Sequence, residues 1–134
     1  MSAAEAGAPD KLSLVVFSGD FDRVHYALVM AAAAVATNKP VTLFFTMGAA
    51  RALVDWRTLP GAQADDDLRA KGLATFDELL DACVALGVTF MVCEMGLKAL
   101  GIAPQALRAD VPVTPGGVVT FLADASKNGA MLFI

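Results

Sequence analysis

The chain has 134 residues, enough for one domain with a packed core, and 57% of them are hydrophobic whereas 18% are charged. Its net charge of −4 and its ten scattered lysines and arginines exclude the basic surface that binds a nucleic-acid backbone. The single histidine and two cysteines exclude a zinc-type ligand pattern and a disulfide framework. We therefore expect no nucleic-acid partner, no metal and no cofactor.

The N-terminal segment shows no targeting signal. Residues 1–10, MSAAEAGAPD, lack the basic and apolar regions of a secretory signal peptide. We expect a disordered leader over residues 1–10, a single α/β domain over residues 11–134, and a cytoplasmic location. The longest uninterrupted apolar run, residues 26–36, is shorter than the ~20 residues of a membrane-spanning helix, so we expect no membrane span.

The first half of the chain alternates strand and helix. Lys11–Phe17 is an aliphatic run that predicts a strand. Apolar residues at helical spacing then predict a helix from Phe21 to about Asn38, with Asp20 as its cap. Val41–Thr46 is a nearly continuous apolar run, which is typical of a parallel strand covered on both faces.

A predicted helix and a long loop follow this second strand. Thr46 is placed to cap a helix that reaches about Trp56. Residues 57–72, RTLPGAQADDDLRAKG, mix proline, glycine and acidic residues without periodicity, which predicts an exposed, mobile loop. Together with Trp56, the acidic run Asp65–Asp67 is compatible with a lid over a crevice, but the composition favours a solvated loop.

The alternation continues through the second half. Thr75 and Glu78 form a capping box for a helix that ends at Gly87, and Val88–Val92 is the next predicted strand. A short helix over residues 95–100 follows.

The C-terminal segment predicts a last helix and a last strand. Thr114 and Pro115 occupy the preferred cap and first-turn positions of a helix that extends to Asn128, and AMLFI closes the chain as a strand. Strand–helix alternation throughout predicts a three-layer α/β/α sandwich, flavodoxin-like in style, with right-handed crossovers. Its sheet is mostly parallel and has four to five strands.

Three loops at the carboxyl ends of the predicted strands are candidates for a crevice, because ligands of open α/β sheets bind there. In the common 2-1-3-4 strand order, the first strand would lie beside the strand that ends at Cys93. The thiol would then share a crevice with the segment SGDFDR. The candidate binding residues, with Cys93 as the catalytic candidate, are Ser18, Gly19, Asp20, Thr46, Met47, Gly48, Glu94 and Met95.

Cys93 is the candidate nucleophile of this crevice. A thiol at the first turn of a helix meets free N–H groups and the positive end of the helix dipole, which favour the thiolate. Glu94 opposes this effect if its carboxylate points to the sulfur, and Lys98 reduces the opposition if it pairs with Glu94. The sequence leaves the net sign open. It also leaves open that Cys93 is a buried hydrophobic residue at the end of a core strand.

Other chemically active residues have structural interpretations as well. Cys83 lies in mid-helix on the apolar face, which favours a structural role, and we expect it to be too far from Cys93 for a disulfide. Arg23 and His25 are possible assisting residues, with His25 as the base of a Cys–His pair. The opposing interpretation is that Asp20 serves as a cap and that His25 points elsewhere.

Four segments of the sequence carry a family resemblance: LVVFSGDFDRVHYALVMAAAA, VTLFFTMG, GVTFMVCEMGLKALGI and GVVTFLADASKNGAMLFI. Through them the chain resembles the DsrE/DsrF/DsrH-like (DsrE/TusD-type) sulfur-trafficking family, in its peroxiredoxin-family-like branch. The third segment is the specific one, because a strand ends in Cys and a Met precedes a short helix closed by Leu-Gly-Ile. The sequence departs from the family pattern at Glu94, at Gly96 and in the TMGAA loop.

The resemblance implies a parallel α/β sandwich that forms oligomers, with sulfane sulfur carried as a persulfide on Cys93. The chain would be a sulfurtransferase or sulfur carrier, and its partners would be donor and acceptor proteins or small thiols. The Ala-rich segment ALVMAAAAVA favours a homo-oligomer. Two alternatives stay open: a non-catalytic small-ligand-binding or assembly module, and a thiol peroxidase, for which no resolving cysteine is within expected reach.

Overall fold

The computed structural model describes residues 7–134, and strands alternate with helices along them. The strands are β1 (Leu12–Val16), β2 (Val41–Phe45), β3 (Thr89–Cys93), β4 (Val113–Gly116) and β5 (Ala130–Phe133). The α-helices are α1 (Phe21–Ala36), α2 (Ala52–Asp55), α3 (Ala64–Ala70), α4 (Phe76–Ala85), α5 (Glu94–Leu100) and α6 (Val118–Asp124). Short 3₁₀ segments cover Met47–Arg51, Trp56–Thr58 and Pro104–Ala106. None of the helices in the described part is long and apolar enough to cross a membrane.

The five strands form one sheet in the order β4-β3-β2-β1-β5, and all of its neighbouring strands are parallel. This confirms the predicted α/β fold class. The order 2-1-3-4 is wrong, because β2 lies between β1 and β3. The chain moves one position at a time from β1 to β4, and the segment containing α6 then returns it to the free side of β1. Because such crossovers are right-handed, this reversal of direction places α6 on the opposite face of the sheet from α1.

The two faces of the sheet are covered unequally. On one face, Leu14, Leu43 and Phe90 belong to a large core that includes buried residues of α1 and α4. On the other, Phe44, Met91 and Cys93 pack with Phe121 of α6 in a much smaller cluster. Since α6 has seven residues, this second face stays partly uncovered.

The segment predicted as a mobile loop contains a helix. Within residues 57–72, α3 spans Ala64–Ala70 with three aspartates in its first turn, where the helix dipole favours negative charge. Asp65 is buried, and its carboxylate accepts a hydrogen bond of 2.8 Å from the backbone N–H of Phe76, the first residue of α4. This long-range contact anchors α3 against α4, so the segment is neither a mobile loop nor a lid, whereas the predicted exposure holds for most of its residues.

The predicted C-terminal helix is also wrong in its extent. Thr114 and Pro115 lie in β4, where Val113 is in register with Phe90 of β3. Pro115 has no N–H to donate, which is tolerated because β4 is an edge strand. The helix starts three residues later than Pro115 and ends at Asp124, well short of the predicted Asn128.

The predicted helix caps differ in outcome. Thr75 accepts a hydrogen bond from the backbone N–H of Glu78, as expected of the capping box. Asp20 and Thr46 occupy N-cap positions, but their side chains make no capping hydrogen bond. Ser18 Oγ instead accepts a bond of 3.1 Å from the N–H of Asp20.

The predicted N-terminal leader lies mostly outside the described residues. Of its last residues, Asp10 accepts a hydrogen bond of 2.6 Å from Ser126 Oγ, and its N–H donates to the carbonyl of Asn128. The ordered contacts of the domain therefore begin at or before Asp10.

Candidate functional site

Cys93 ends β3 and is the N-cap residue of α5. Its side chain lies on the α6 face of the sheet, packs with Phe44, Met91 and Phe121, and is 2% exposed. Among residues 7–134 the Cys93 sulfur has no hydrogen-bond partner, and it accepts no capping bond from the N–H groups of α5. The N–H groups at the start of α5 therefore do not hydrogen-bond to the sulfur, contrary to expectation. The thiol is a polar group without a partner in apolar surroundings.

Two adjoining cavities meet at Cys93. The first has a volume of about 430 Å³, and its lining residues are Val15, Phe17, Phe44, Thr46, Met47, Cys93, Met95, Val118, Phe121, Leu122, Met131 and Phe133. The second has about 540 Å³, and its walls include Glu94, Met95, Gly116 and Gly117. Cys93 is thus covered on most sides yet reachable from the carboxyl edge of the sheet, where ligands of α/β folds bind.

Thr46 and Met47 join Cys93 in the first cavity, as the sequence predicts. Met47 has a φ of +48°, in the left-handed region that non-glycine residues seldom adopt. The backbone of Met47 also passes very close to Gly96 in α5: a Cβ added to Gly96 would lie 2.7 Å from the Met47 nitrogen. Gly96, where the sequence departs from the family pattern, is therefore what allows this approach.

Ser18, Gly19 and Asp20, in the loop after β1, do not line the Cys93 cavities. Gly19 lies against Gly48 of the loop after β2, and a Cβ on Gly19 would be 3.2 Å from the Gly48 carbonyl. Asp20 and Arg23 border a separate cavity of about 310 Å³ with Pro60 and Gly61. The predicted shared crevice of Cys93 with SGDFDR is not formed, because β2 separates the two strands.

His25 also lies away from the thiol. Its ring stacks on Phe21, a residue of the large core on the α1 face, and Nε2 is 2.9 Å from the carbonyl oxygen of Ala74. Cys93 belongs to the cluster on the opposite face of the sheet. The structure therefore does not bring His25 or Arg23 to Cys93, and neither can assist its chemistry from this position.

Glu94 and Met95 follow the thiol directly, and both are exposed. Glu94 borders the second cavity, so its carboxylate stands beside the entrance to Cys93. In the described part of the chain Glu94 makes no ion pair with Lys98, so the condition under which Lys98 would reduce the effect of Glu94 is not met. Lys98 lines neither of the two cavities at Cys93.

Cys83 contrasts with Cys93 in its surroundings. It is fully buried in the large core, and its thiol donates a long hydrogen bond of 3.7 Å to the carbonyl of Leu28 in α1. Burial raises the pKa of the Cys83 thiol to about 11. Both cysteines are free, and the structural role expected of Cys83 agrees with this geometry.

Several lining residues were not anticipated from the sequence. Phe17 directly follows β1, Phe121 and Leu122 belong to α6, and Met131 and Phe133 belong to β5. The signal for the α6 and β5 residues was the repeated large apolar residues in VVTFL and AMLFI, which are more than one buried face needs. Within residues 7–134, no group of three or more His, Cys, Asp or Glu side chains could hold a metal ion.

The fold and the site define a parallel α/β protein with a buried thiol at the carboxyl edge of its sheet. The chain belongs to the DsrE/DsrF-like family, whose model matches residues 11–133.

Individual relatives agree with this assignment. The chain is 24% identical over 156 residues to the uncharacterized protein YrkE of Bacillus subtilis strain 168, covering 92% of this chain and 96% of that protein. Its fold is similar to that of MTH1491, a protein of unknown function from Methanobacterium thermoautotrophicum, with a TM-score of 0.61, 16% identity, and coverage of 92% and 98%. It is equally similar to YchN from E. coli, with a TM-score of 0.61, 16% identity, and coverage of 93% and 99%.

Proposed function

We propose that this protein is a sulfurtransferase or sulfur carrier that holds sulfane sulfur as a persulfide on Cys93. The observation that supports the proposal is the placement of Cys93. Its unpartnered thiol is at the junction of two cavities on the carboxyl edge of the sheet, in a member of the DsrE/DsrF-like family. Family membership suggests a function related to sulfur, and Cys93 is the thiol that a ligand at this edge can reach.

The proposed reaction needs no metal and no organic cofactor. The Cys93 thiolate attacks the outer sulfur of a donor persulfide, forming a new S–S bond while the donor S–S bond breaks and the donor leaves as a thiolate. An acceptor thiolate then attacks the outer sulfur on Cys93 and releases the Cys93 thiolate. Thr46, Met47, Glu94 and Met95 form the immediate surroundings of the transferred sulfur.

Intact-mass measurement tests this proposal. After incubation with cysteine persulfide, the wild-type chain is expected to gain about 32 Da per sulfur atom, and a dithiol reductant is expected to remove the gain. Cys83→Ser keeps the gain and Cys93→Ser loses it. An unmodified wild-type chain, or an equal gain on Cys93→Ser, contradicts the proposal.

A second candidate is a non-catalytic ligand-binding or assembly module of the same fold. It is favoured by the 2% exposure of Cys93 and by the position of His25, which leaves the thiol without a neighbouring base. The rate of iodoacetamide alkylation on a Cys83→Ala background separates the two functions. A Cys93 that reacts within about tenfold of free cysteine supports sulfur carriage, and one that is not modified in the folded protein supports the module.

We also propose that the chain forms a homo-oligomer and acts in the cytoplasm with donor and acceptor proteins or small thiols. Large apolar side chains on and near α6 and β5 are exposed, among them Val119 at 83% and Phe133 at 69%. Such a patch is typical of an interaction surface. Light scattering that gives the 13.9 kDa monomer at all concentrations contradicts the oligomer.

A further inference from the structure

The walls of the first cavity at Cys93 consist mainly of hydrocarbon and thioether groups. Four phenylalanines and three methionines contribute to a space of about 430 Å³, and Thr46 supplies its hydroxyl. Among residues 7–134, no lysine, arginine, histidine, aspartate or glutamate lines this cavity. An anion that entered it would lose hydration without gaining a counter-charge, which is costly.

The second approach to the thiol is unfavourable to anions for a different reason. Glu94 is the ionisable residue besides Cys93 that lines the adjoining cavity, and it is exposed. Its negative charge repels an anionic donor that approaches Cys93 from this side. Both entrances therefore disfavour donors such as thiosulfate or glutathione persulfide.

We propose that the sulfur source of Cys93 is uncharged, apolar sulfur, of which the octasulfur ring, S₈, is the simplest form. This inference rests on the proposed sulfur-carrier function and specifies its substrate class. S₈ has eight atoms and is smaller than the ligands for which pockets of roughly 300–1,000 Å³ are typical, so the cavity has room for it. The thioethers of Met47, Met95 and Met131 are polarizable groups that suit contact with sulfur.

The loading step balances without an oxidant or a reductant. The Cys93 thiol releases its proton to solvent, and the thiolate attacks one atom of the ring. One S–S bond forms at Sγ and one ring S–S bond breaks, so that its electron pair becomes the negative charge at the end of an eight-sulfur chain on Cys93. A thiolate acceptor that attacks the second sulfur of this chain leaves one sulfur on Cys93 as a persulfide and removes the other seven as its own polysulfide.

The test compares two donors on a Cys83→Ala background, so that Cys93 is the remaining thiol. The rates of sulfur uptake from dissolved S₈ and from glutathione persulfide are measured by intact mass after alkylation. Each rate is divided by the rate at which free N-acetylcysteine reacts with the same donor. The normalised rate is expected to be at least about tenfold higher for S₈ than for glutathione persulfide, because only the charged donor is penalised by the walls.

A matched pair of charge insertions tests the cavity itself. Leu122 lines the cavity and is 55% exposed, whereas Leu73 is 54% exposed and does not line it. Leu122→Lys is expected to reduce the preference for S₈ several-fold by slowing uptake from S₈ and speeding uptake from glutathione persulfide. Leu73→Lys is expected to leave both rates unchanged.

The outcomes separate this inference from the proposed function. Uptake from glutathione persulfide that equals or exceeds uptake from S₈ overturns the inference and leaves Cys93 as a sulfur carrier. Equal effects of Leu122→Lys and Leu73→Lys also overturn it. Absence of uptake from both donors overturns the carrier function together with the inference.

Discussion

The contact between Gly96 and Met47 leads to a sharp prediction for Gly96→Ala. The added Cβ would lie 2.7 Å from the Met47 nitrogen and 3.2 Å from Thr46 Oγ1, so the backbone of one segment must move. Overpacking of this kind costs about 1–3 kcal/mol in the free energy of unfolding. For a chain of this size that corresponds to a decrease in Tm of about 4–12 °C. Because Met47 lines the cavity at Cys93, the same displacement is expected to change the rate of Cys93 alkylation.

Gly117→Ala is the control for the stability effect of this substitution, whereas alkylation of Gly96→Ala is compared with the wild type, because Gly117 itself lines the second cavity at Cys93. A Cβ on Gly117 would have no atom within 4 Å, and its φ of −123° is accessible to alanine. Urea unfolding and thermal melts of both variants, with iodoacetamide kinetics at Cys93, provide the comparison. If Gly96→Ala is as stable as Gly117→Ala and alkylates at the wild-type rate, the close approach of α5 to Met47 does not shape the site.

Three further predictions concern stability. Asp65→Ala removes the buried acceptor of the Phe76 N–H and is expected to lower the free energy of unfolding in urea by about 1–3 kcal/mol. Asp67→Ala, on the exposed side of α3, is expected to lower it much less. Equal losses would refute the anchoring role of Asp65. Burial raises the pKa of Cys83 from 9.0 to about 11, so its contribution to stability is complete below about pH 9 and is lost as the pH rises toward 11. Cys83→Ala should flatten that alkaline loss, and an unchanged slope would contradict the assignment. Partial burial opposes ionisation of Asp124, but hydrogen bonds from Lys11 and Thr42 lower its pKa overall. The Asp124 carboxylate therefore stabilises the fold at pH values above 3.8, its pKa in the unfolded chain, and this contribution is lost as the pH falls below 3.8. Asp124→Asn is therefore expected to lose stability near neutral pH and to show a weaker acid dependence than the wild type in the same unfolding assay.

The local elements that depend on short-range signals could be predicted from the sequence. β2 was recognisable because a strand covered on both faces is apolar at nearly every position, and its five residues are all buried. The end of α5 was recognisable because Gly101 supplies a left-handed residue, which has a φ of +66° in the structure. Such signals lie within a few residues of the element that they define.

Elements that depend on distant contacts could not be predicted. α3 follows a Pro-Gly pair and contains an acidic run, and its order depends on the contact of Asp65 with Phe76, eleven residues away. β4 contains a Thr-Pro pair that is also a good helix start, and its pairing with β3 decides between the two structures. The strand order itself leaves no local trace, so the prediction that SGDFDR adjoins Cys93 was wrong, although Thr46 and Met47 do line its cavity.

The position of Cys93 on the sheet explains why this thiol, and not its neighbours, is the candidate for chemistry. Successive residues of β3 point to opposite faces: Val92 is fully buried in the large core, and Cys93 points to the face that α6 covers only in part. A shift of one residue in the register of β3 would place the Cys93 thiol in the large core. Cys83 is an example of a thiol in that core, and burial raises its pKa to about 11. The uncovered apolar surface beside α6 and the access to Cys93 therefore have one cause, the short last crossover of the chain.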